Sequence, residues 1–135
     1  MYSVFLTHGK ADGYVARNLL VPRIKEIGAT VFIDDLRIDF GDDFRDAIFQ
    51  ELRVTNELLA FLTPTSIKRP WIFTEIGAVS VRTDARIVPL LYGITVSDLE
   101  QQGALSVFGS KNIPSLDDFD DYLLELSGRI AASST

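Results

Sequence analysis

Short apolar runs alternate with amphipathic segments along the whole chain. The apolar runs are rich in aromatic and β-branched residues, a composition typical of buried strands. They predict strands at 2–7, 30–34, 57–63 and 86–93, with a marginal fifth strand at 104–109. Between them, apolar residues recur every three or four positions, which predicts helices at 12–27, 44–52, 70–83, 95–102 and 115–130.

Residues with special backbone preferences set several of these boundaries. Asp12 is expected to cap the first helix and Gly28 to end it. Pro22 should kink that helix, whereas Pro70 suits the first turn of a later one. Pro89 is expected to break the hydrogen-bond ladder of the fourth strand. The buried stripe of the first helix is expected to comprise Val15, Leu19, Leu20, Ile24 and Ile27.

This order of elements predicts an α/β fold with a parallel sheet that is covered by helices on both faces. The 135 residues are expected to form a single domain, 1–135, with 131–135 as a tail or the start of a linker. Parallel sheets of this kind bind ligands beyond the carboxyl ends of their strands. The loops that follow Thr7, Asp34 and Thr63 are therefore the expected location of a site.

Charge and composition exclude several classes of function. The net charge is −6, which disfavours binding to nucleic acid and to anionic membrane surfaces. The chain contains no cysteine and one histidine, so we expect neither disulfides nor a zinc site. It has no apolar stretch of membrane-spanning length and does not start like a secretory signal, so a cytoplasmic location is expected.

Familiar ligand-binding motifs are absent. The turn "LTHGKADG" lacks the glycine pattern of a dinucleotide site, and Gly9-Lys10 lacks the rest of a phosphate-binding loop. No serine lies in a nucleophile elbow. The acidic residues of the 34–43 segment favour a solvated loop and a helix start over a magnesium site. We therefore expect no metal and no cofactor.

The stretch "RPWIFTEIG" (69–77) holds the only tryptophan and a glutamate within an apolar run. On a helix, Ile72, Ile76 and Val79 would pack against the sheet, and Trp71 and Glu75 would share a neighbouring face. Taken alone, a helical glutamate is by default solvated and a tryptophan is more often a core residue than a ligand contact.

The chain resembles Toll/interleukin-1 receptor (TIR) domains along nearly its whole length. "SVFLTHGKADGYVARNLLVPRIKEIGATVFIDD" looks like the opening of such a domain, and "DLRIDFG" resembles its flexible loop. "LLAFLTPTSIKRPWIFTEIGAV" resembles the third strand and the helix after it, and "ARIVPLLYG" the fourth strand. The chain departs from the family by having Phe40 where proline is common, and Thr7 and Thr63 where serine is frequent.

The resemblance implies a flavodoxin-like, doubly wound sheet of about five parallel strands, and an enzymatic activity. Many bacterial and plant members cleave NAD⁺ at the nicotinamide–ribose bond with a glutamate at the position of Glu75. NAD⁺ would be the substrate rather than a cofactor, giving nicotinamide and ADP-ribose or a cyclic ADP-ribose. With Glu75 as catalytic residue, the expected substrate-binding residues are Thr7, His8, Gly9, Lys10, Arg37, Phe40 and Trp71.

A single carboxylate suits this reaction. Nicotinamide in NAD⁺ is already cationic at the ring nitrogen, so it leaves neutral and needs no general acid. The ribose develops positive charge that a nearby carboxylate can stabilise.

Members that resemble this chain act in immune or anti-phage defence, often with a fused or separate sensor module, and are activated by oligomerisation through TIR–TIR contacts. Many animal members are instead signalling adaptors. A non-catalytic interaction module that assembles through the 35–41 loop and its helices is therefore one alternative. A nucleoside deoxyribosyltransferase-like enzyme, which also uses a glutamate, is the other.

Overall fold

The computed structural model describes residues 1–33, 44–101 and 113–133. Its sheet contains β1 (Ser3–Thr7), β2 (Thr30–Ile33), β3 (Glu57–Leu62) and β4 (Arg86–Leu91). All neighbouring strands pair in parallel, in the order β2-β1-β3-β4. The strand order reverses at β1, which confirms the doubly wound α/β fold. The described sheet has four strands rather than about five, and the fifth one predicted at 104–109 lies outside the described residues.

Helices follow each described strand. Helix α1 (10–26) joins β1 to β2, α2 (Phe44–Val54) precedes β3, and α3 (Pro70–Ser80) joins β3 to β4. Helices α4 (Val96–Gln101) and α5 (Phe119–Ser133) complete the described chain. Short 3-10 turns at Ser66–Lys68 and Leu116–Asp118 lead into α3 and α5. No helix in these ranges combines the length and the apolar character that spanning a bilayer requires.

Helix α1 is irregular along its length. A 3-10 turn and one α-helical turn lead into a π-helical segment, Ala16–Leu20, and an α-helical segment, Val21–Glu26, follows. Pro22 lies at the start of the last segment, so a wide π turn precedes the residue that lacks an amide donor. The wider turn shifts the angular positions of the side chains. Leu19 is 41% exposed, so its predicted place in the buried stripe was wrong.

Asp12 and Gly28 lie at the two ends of α1, where the sequence predicted a cap and a stop signal. Gly28 adopts φ of 105°, which confirms it as the stop signal because side chains disfavour this region. Asp12, predicted as the N-cap, makes no capping hydrogen bond. Asp12 does occupy the N-cap position of the α-helical turn that starts at Gly13, so the predicted position is confirmed, but its carboxylate accepts a hydrogen bond from Thr63 instead of capping the helix.

The sheet is covered on both faces, because side chains of successive strand residues point in opposite directions. Val4 and Leu6 pack with α1 and α5, whereas Phe5, between them, packs with α2 and α3. The core therefore lies in two layers, one on each side of the sheet.

Pro89 does not interrupt β4, contrary to the prediction, since pairing with β3 is continuous through it. The amide of Tyr92 donates to Leu62 of β3, whereas the amide of Leu91 donates to Pro114 on the opposite side, both at 3.0 Å. Amides alternate in direction along a strand, so the nitrogen of Pro89 lies on the same side as that of Leu91. The absence of an amide hydrogen at Pro89 therefore removes no hydrogen bond between β3 and β4.

Candidate functional site

The carboxyl ends of β1 and β3 lie side by side and carry the candidate site. Thr7 ends β1 and pairs with Ala60 of β3. After β3, the chain passes through Thr63 and the Ser66–Lys68 turn into α3, which Pro70 opens as predicted. This path brings α3 back over the sheet beside the end of β1.

Glu75 is fully buried at this edge. Ile72, Ile76 and Val79 form the predicted apolar face of α3 and pack into the core. Glu75 is three residues after Ile72 and four before Val79, so helical spacing places it along the same stripe. The sequence had suggested a face beside this one, shared with Trp71. The carboxylate instead points inward, and its Oε1 accepts a hydrogen bond from Thr7 Oγ1 at 2.7 Å.

Trp71 lies one turn before Glu75 and is half-buried. Its ring meets Phe49 of α2 edge-on, with centroids 5.9 Å apart and an interplanar angle of 70°. The indole therefore helps to pack α2 against α3, whatever else it contacts.

The loop after β1 carries three predicted substrate-binding residues. His8 is buried, and its Nδ1 donates to the carbonyl oxygen of Gly9 at 2.6 Å. Gly9 lies so close to Ser66 that an added Cβ would come within 2.8 Å of the serine Cβ. Lys10 begins the 3-10 turn and is exposed. His8 and Gly9 therefore lie against the β3–α3 loop, and Lys10 faces solvent.

A hydrogen-bond network, missed from the sequence, joins the two loops. Thr63 Oγ1 donates to Asp12 Oδ2 at 2.7 Å, and its amide donates to Ser66 Oγ at 2.7 Å. Arg69 Nη1 donates to the carbonyl oxygen of His8 at 3.2 Å. No local sign of this network is present in the sequence. Thr63 and Asp12 are 51 positions apart, and the Thr63–Ser66 bond lies within a connection that has no regular apolar pattern.

Arg37 and Phe40 lie outside the described residues, as does the acidic 34–43 segment that was weighed as a magnesium site. Within the described ranges, no three histidine, aspartate or glutamate side chains converge as metal ligands would. A cavity of about 440 Å³ between β4 and α5 includes none of the predicted site residues.

The edge can thus present one enclosed carboxylate, oriented by a threonine hydroxyl and lying close to the end of the central strand. Such a group can stabilise developing positive charge on a bound substrate. The fold and this carboxylate together define a class: parallel α/β domains with an acidic residue on the helix after the third strand. The family model described as TIR domain matches residues 4–125, and the chain belongs to the TIR domain family.

Two curated relatives match part of the chain. The probable 2′ cyclic ADP-D-ribose synthase TcpO of Methanobrevibacter olleyae is 22% identical over 102 residues, covering 74% of this chain and 30% of the relative. The probable 2′ cyclic ADP-D-ribose synthase BdTIR of Brachypodium distachyon is 30% identical over 100 residues, covering 73% and 44%. The chain therefore spans less than half the length of either relative.

Solved structures share the fold at low sequence identity. The TIR domain of the Toll-related receptor TRR-2 from Hydra magnipapillata has a TM-score of 0.63 at 16% identity, covering 99% of this chain and 98% of that one. The TIR domains of the activated Roq1 resistosome, which directly recognises the pathogen effector XopQ, have a TM-score of 0.63 at 18% identity. They cover 76% of this chain and 64% of that one.

Proposed function

We propose that this TIR domain cleaves NAD⁺ at the bond between nicotinamide and ribose, with Glu75 as the catalytic residue. The single observation that carries the proposal is the placement of Glu75. It is a carboxylate with no exposed surface, at the carboxyl edge of the sheet, on the helix that follows the third strand. Burying a carboxylate is costly, and its hydrogen bond from Thr7 offsets part of that cost. A buried carboxylate at the ligand-binding edge of a parallel sheet supports a functional role.

The reaction needs little more than this group. The C1′–N bond breaks, and its electron pair passes to the pyridinium ring, so nicotinamide leaves neutral. The ribose that remains has oxocarbenium character, which a carboxylate at close range stabilises more strongly in an enclosed site than in water. Water then attacks C1′ and loses a proton to give ADP-ribose, or a hydroxyl of the same molecule attacks to give a cyclic product.

The names of the two curated relatives support the cyclic outcome, because both are described as probable 2′ cyclic ADP-D-ribose synthases. A role in bacterial anti-phage immunity and activation by oligomerisation are part of the proposal and rest on the family resemblance. Glu75 has no exposed surface in the single chain, which supports a rearrangement of the site before substrate reaches the carboxylate. Assembly of several copies is the rearrangement that we propose.

The test is nicotinamide release from NAD⁺ by the purified protein, both dilute and artificially clustered, with the products separated by chromatography. We expect release by the clustered wild type and none by Glu75→Gln, which keeps the shape of the side chain and removes its charge. Glu100→Gln, an exposed change on α4, serves as the matched control and should retain activity. Thermal unfolding checks that each variant is folded.

Other results would overturn the proposal. Equal behaviour of clustered wild type and Glu75→Gln would favour a non-catalytic interaction module. Cleavage of free deoxynucleosides, without cleavage of NAD⁺, would favour a deoxyribosyltransferase-like enzyme.

A further inference from the structure

A hydrogen bond between Thr7 and Glu75 links the central strand to the proposed catalytic residue. Thr7 Oγ1 lies 2.7 Å from Glu75 Oε1, and the two residues are 68 positions apart in sequence. Thr7 is 1% exposed and Glu75 has no exposed surface. A carboxylate can only accept a hydrogen bond, so the hydroxyl is the donor. The proton of Thr7 is therefore directed at Glu75.

The backbone on the Thr7 side of this contact is held firmly. Thr7 is the last residue of β1 and pairs with Ala60 of β3, and β2 pairs with the preceding residues of β1 as far as Leu6. A β-branched side chain has few χ1 rotamers, so a fixed backbone also fixes the hydroxyl.

The loops on either side of the contact are tied to each other. Three contacts join the β1–α1 loop and the first turn of α1 to the β3–α3 loop. They are the Thr63–Asp12 hydrogen bond, the close approach of Gly9 to Ser66 and the bond from Arg69 to the His8 carbonyl. Because α3 starts directly after the second loop, these ties fix where Glu75 lies relative to Thr7.

We propose that Thr7 is a positioning residue for Glu75, and not a substrate contact as the family resemblance implied. Its hydroxyl fixes the rotation of the carboxyl group, so that the charge faces the reacting ribose in one orientation. A charge-assisted hydrogen bond of this kind is short and directional. The inference rests on the proposed function for the reaction that Glu75 serves.

The kinetic test compares two changes at one position. Thr7→Val removes the hydroxyl and keeps the branched shape, whereas Thr7→Ser keeps the hydroxyl. A hydrogen bond to a charged group is worth enough to lower kcat by about tenfold to a hundredfold when it is lost. We expect this loss in Thr7→Val with KM changed by less than about twofold, and near wild-type kcat in Thr7→Ser. Thr74→Val, an exposed hydroxyl deletion next to Glu75, is the matched control.

A second measurement does not depend on activity. In protein labelled with ¹³C at glutamate side-chain carboxyl carbons, the Glu75 resonance is the one that Glu75→Gln removes. We expect Thr7→Val to move this resonance and Thr7→Ser to leave it near its wild-type position. If the wild type releases no nicotinamide, the proposed function fails, and the resonance still decides whether Thr7 holds Glu75.

Three outcomes would overturn the positioning role. In the first, Thr7→Val leaves the Glu75 resonance unchanged. In the second, Thr7→Val raises KM while kcat is unchanged, which would make Thr7 a substrate contact. In the third, Thr7→Ser loses as much activity as Thr7→Val, which would assign the effect to packing.

Discussion

Arg129 and Glu57 form a bidentate ion pair at the opposite end of the sheet from the candidate site. Arg129 Nε and Nη2 donate to the two carboxylate oxygens at 2.8 and 2.9 Å, and Glu57 has no exposed surface. The hydroxyls of Tyr2 and Tyr122 donate to the same carboxylate at 2.7 and 2.5 Å. Burial alone would lower the pKa of Arg129, but its hydrogen bonds to Glu57 and the charge of Glu57 raise it. The network fastens α5 to the first residue of β3.

Replacing Arg129 with methionine should strongly destabilise the fold, because Glu57 would stay buried without a cation. Breaking one side of a buried ion pair costs about 3–5 kcal/mol of unfolding free energy, measurable by urea titration. Adding Glu57→Gln to Arg129→Met should recover part of the loss, since no charge is then left unpaired. Glu125→Gln is the control, because that exposed carboxylate lies 3.7 Å from Arg129. A loss no larger in Arg129→Met than in this control would contradict the expectation.

Alkaline conditions should weaken the same network through Tyr2. Burial, then the hydrogen bond to Glu57 and its charge, raise the pKa of Tyr2 from 10.0 to about 12. Burial and Glu57 also raise the pKa of Tyr122 well above 10.0. A raised pKa gives stability that is fully present below the unfolded value and lost as pH rises through the folded value. We therefore expect the urea concentration at the unfolding midpoint to decrease as the pH is raised from 10 to 12.

Tyr2→Phe should make this alkaline decline shallower, because the phenol that titrates with a raised pKa is gone. The measurement is the urea midpoint at a series of pH values from 8 to 12, followed by circular dichroism. Tyr14→Phe, on an exposed side chain of α1, should leave the wild-type slope intact. Identical slopes in wild type and Tyr2→Phe would show that Tyr2 plays no part in the decline.

Two glycines with open space around them should respond to alanine in opposite directions. Neither Gly28 nor Gly128 would bring a new Cβ within 4 Å of another atom, so packing does not enter. Gly28 has φ of 105°, and Gly28→Ala should destabilise by about 1–2 kcal/mol. Gly128 lies inside α5, where Gly128→Ala should stabilise by about 0.5–1 kcal/mol. Thermal unfolding of both variants tests the pair, and a change of equal sign would refute the backbone argument.

Local patterns predicted the elements of this fold well. Apolar runs gave the four described strands, and Pro70 and Gly28 gave the start of α3 and the end of α1, because these signals act through the backbone of their own neighbourhood. Pro89 and Leu19 were misjudged for the opposite reason. Whether a proline disturbs a ladder depends on which side its nitrogen faces, and the face of Leu19 depends on a π turn that the apolar period does not encode.

Buried polar groups could not be predicted in the same way. Glu75 was expected on a helix surface, and Glu57 was not singled out. Their hydrogen-bond donors include Thr7 for Glu75, and Tyr2, Tyr122 and Arg129 for Glu57. These partners are 55 to 72 residues away in sequence. The hydrogen bond from Thr63 to Asp12 was missed because the two residues are 51 positions apart in sequence. The family resemblance, rather than the pattern, singled out Glu75.

Trp71 is the residue at which packing and substrate binding can be separated. Its edge-on contact with Phe49 joins α2 to α3, and both rings are half-buried. Trp71→Ala and Phe49→Ala should each lower the unfolding free energy by about 2–3 kcal/mol, somewhat less than truncation of a fully buried aromatic residue. The double variant should lose less than the sum by about 0.5–1.5 kcal/mol, since the ring pair can be broken only once.

The two variants should then differ towards NAD⁺. If the indole also forms a wall of the substrate site, as the family resemblance implies, Trp71→Ala should raise KM by up to about tenfold. Phe49→Ala removes the same contact between α2 and α3 without removing the indole, so its KM should stay near that of the wild type. Steady-state kinetics on clustered protein, at a temperature where both variants are folded, makes the comparison. An equal rise of KM in the two variants would contradict a direct contact between the indole and the substrate. Trp71 would then act only through the packing that sets the position of α3.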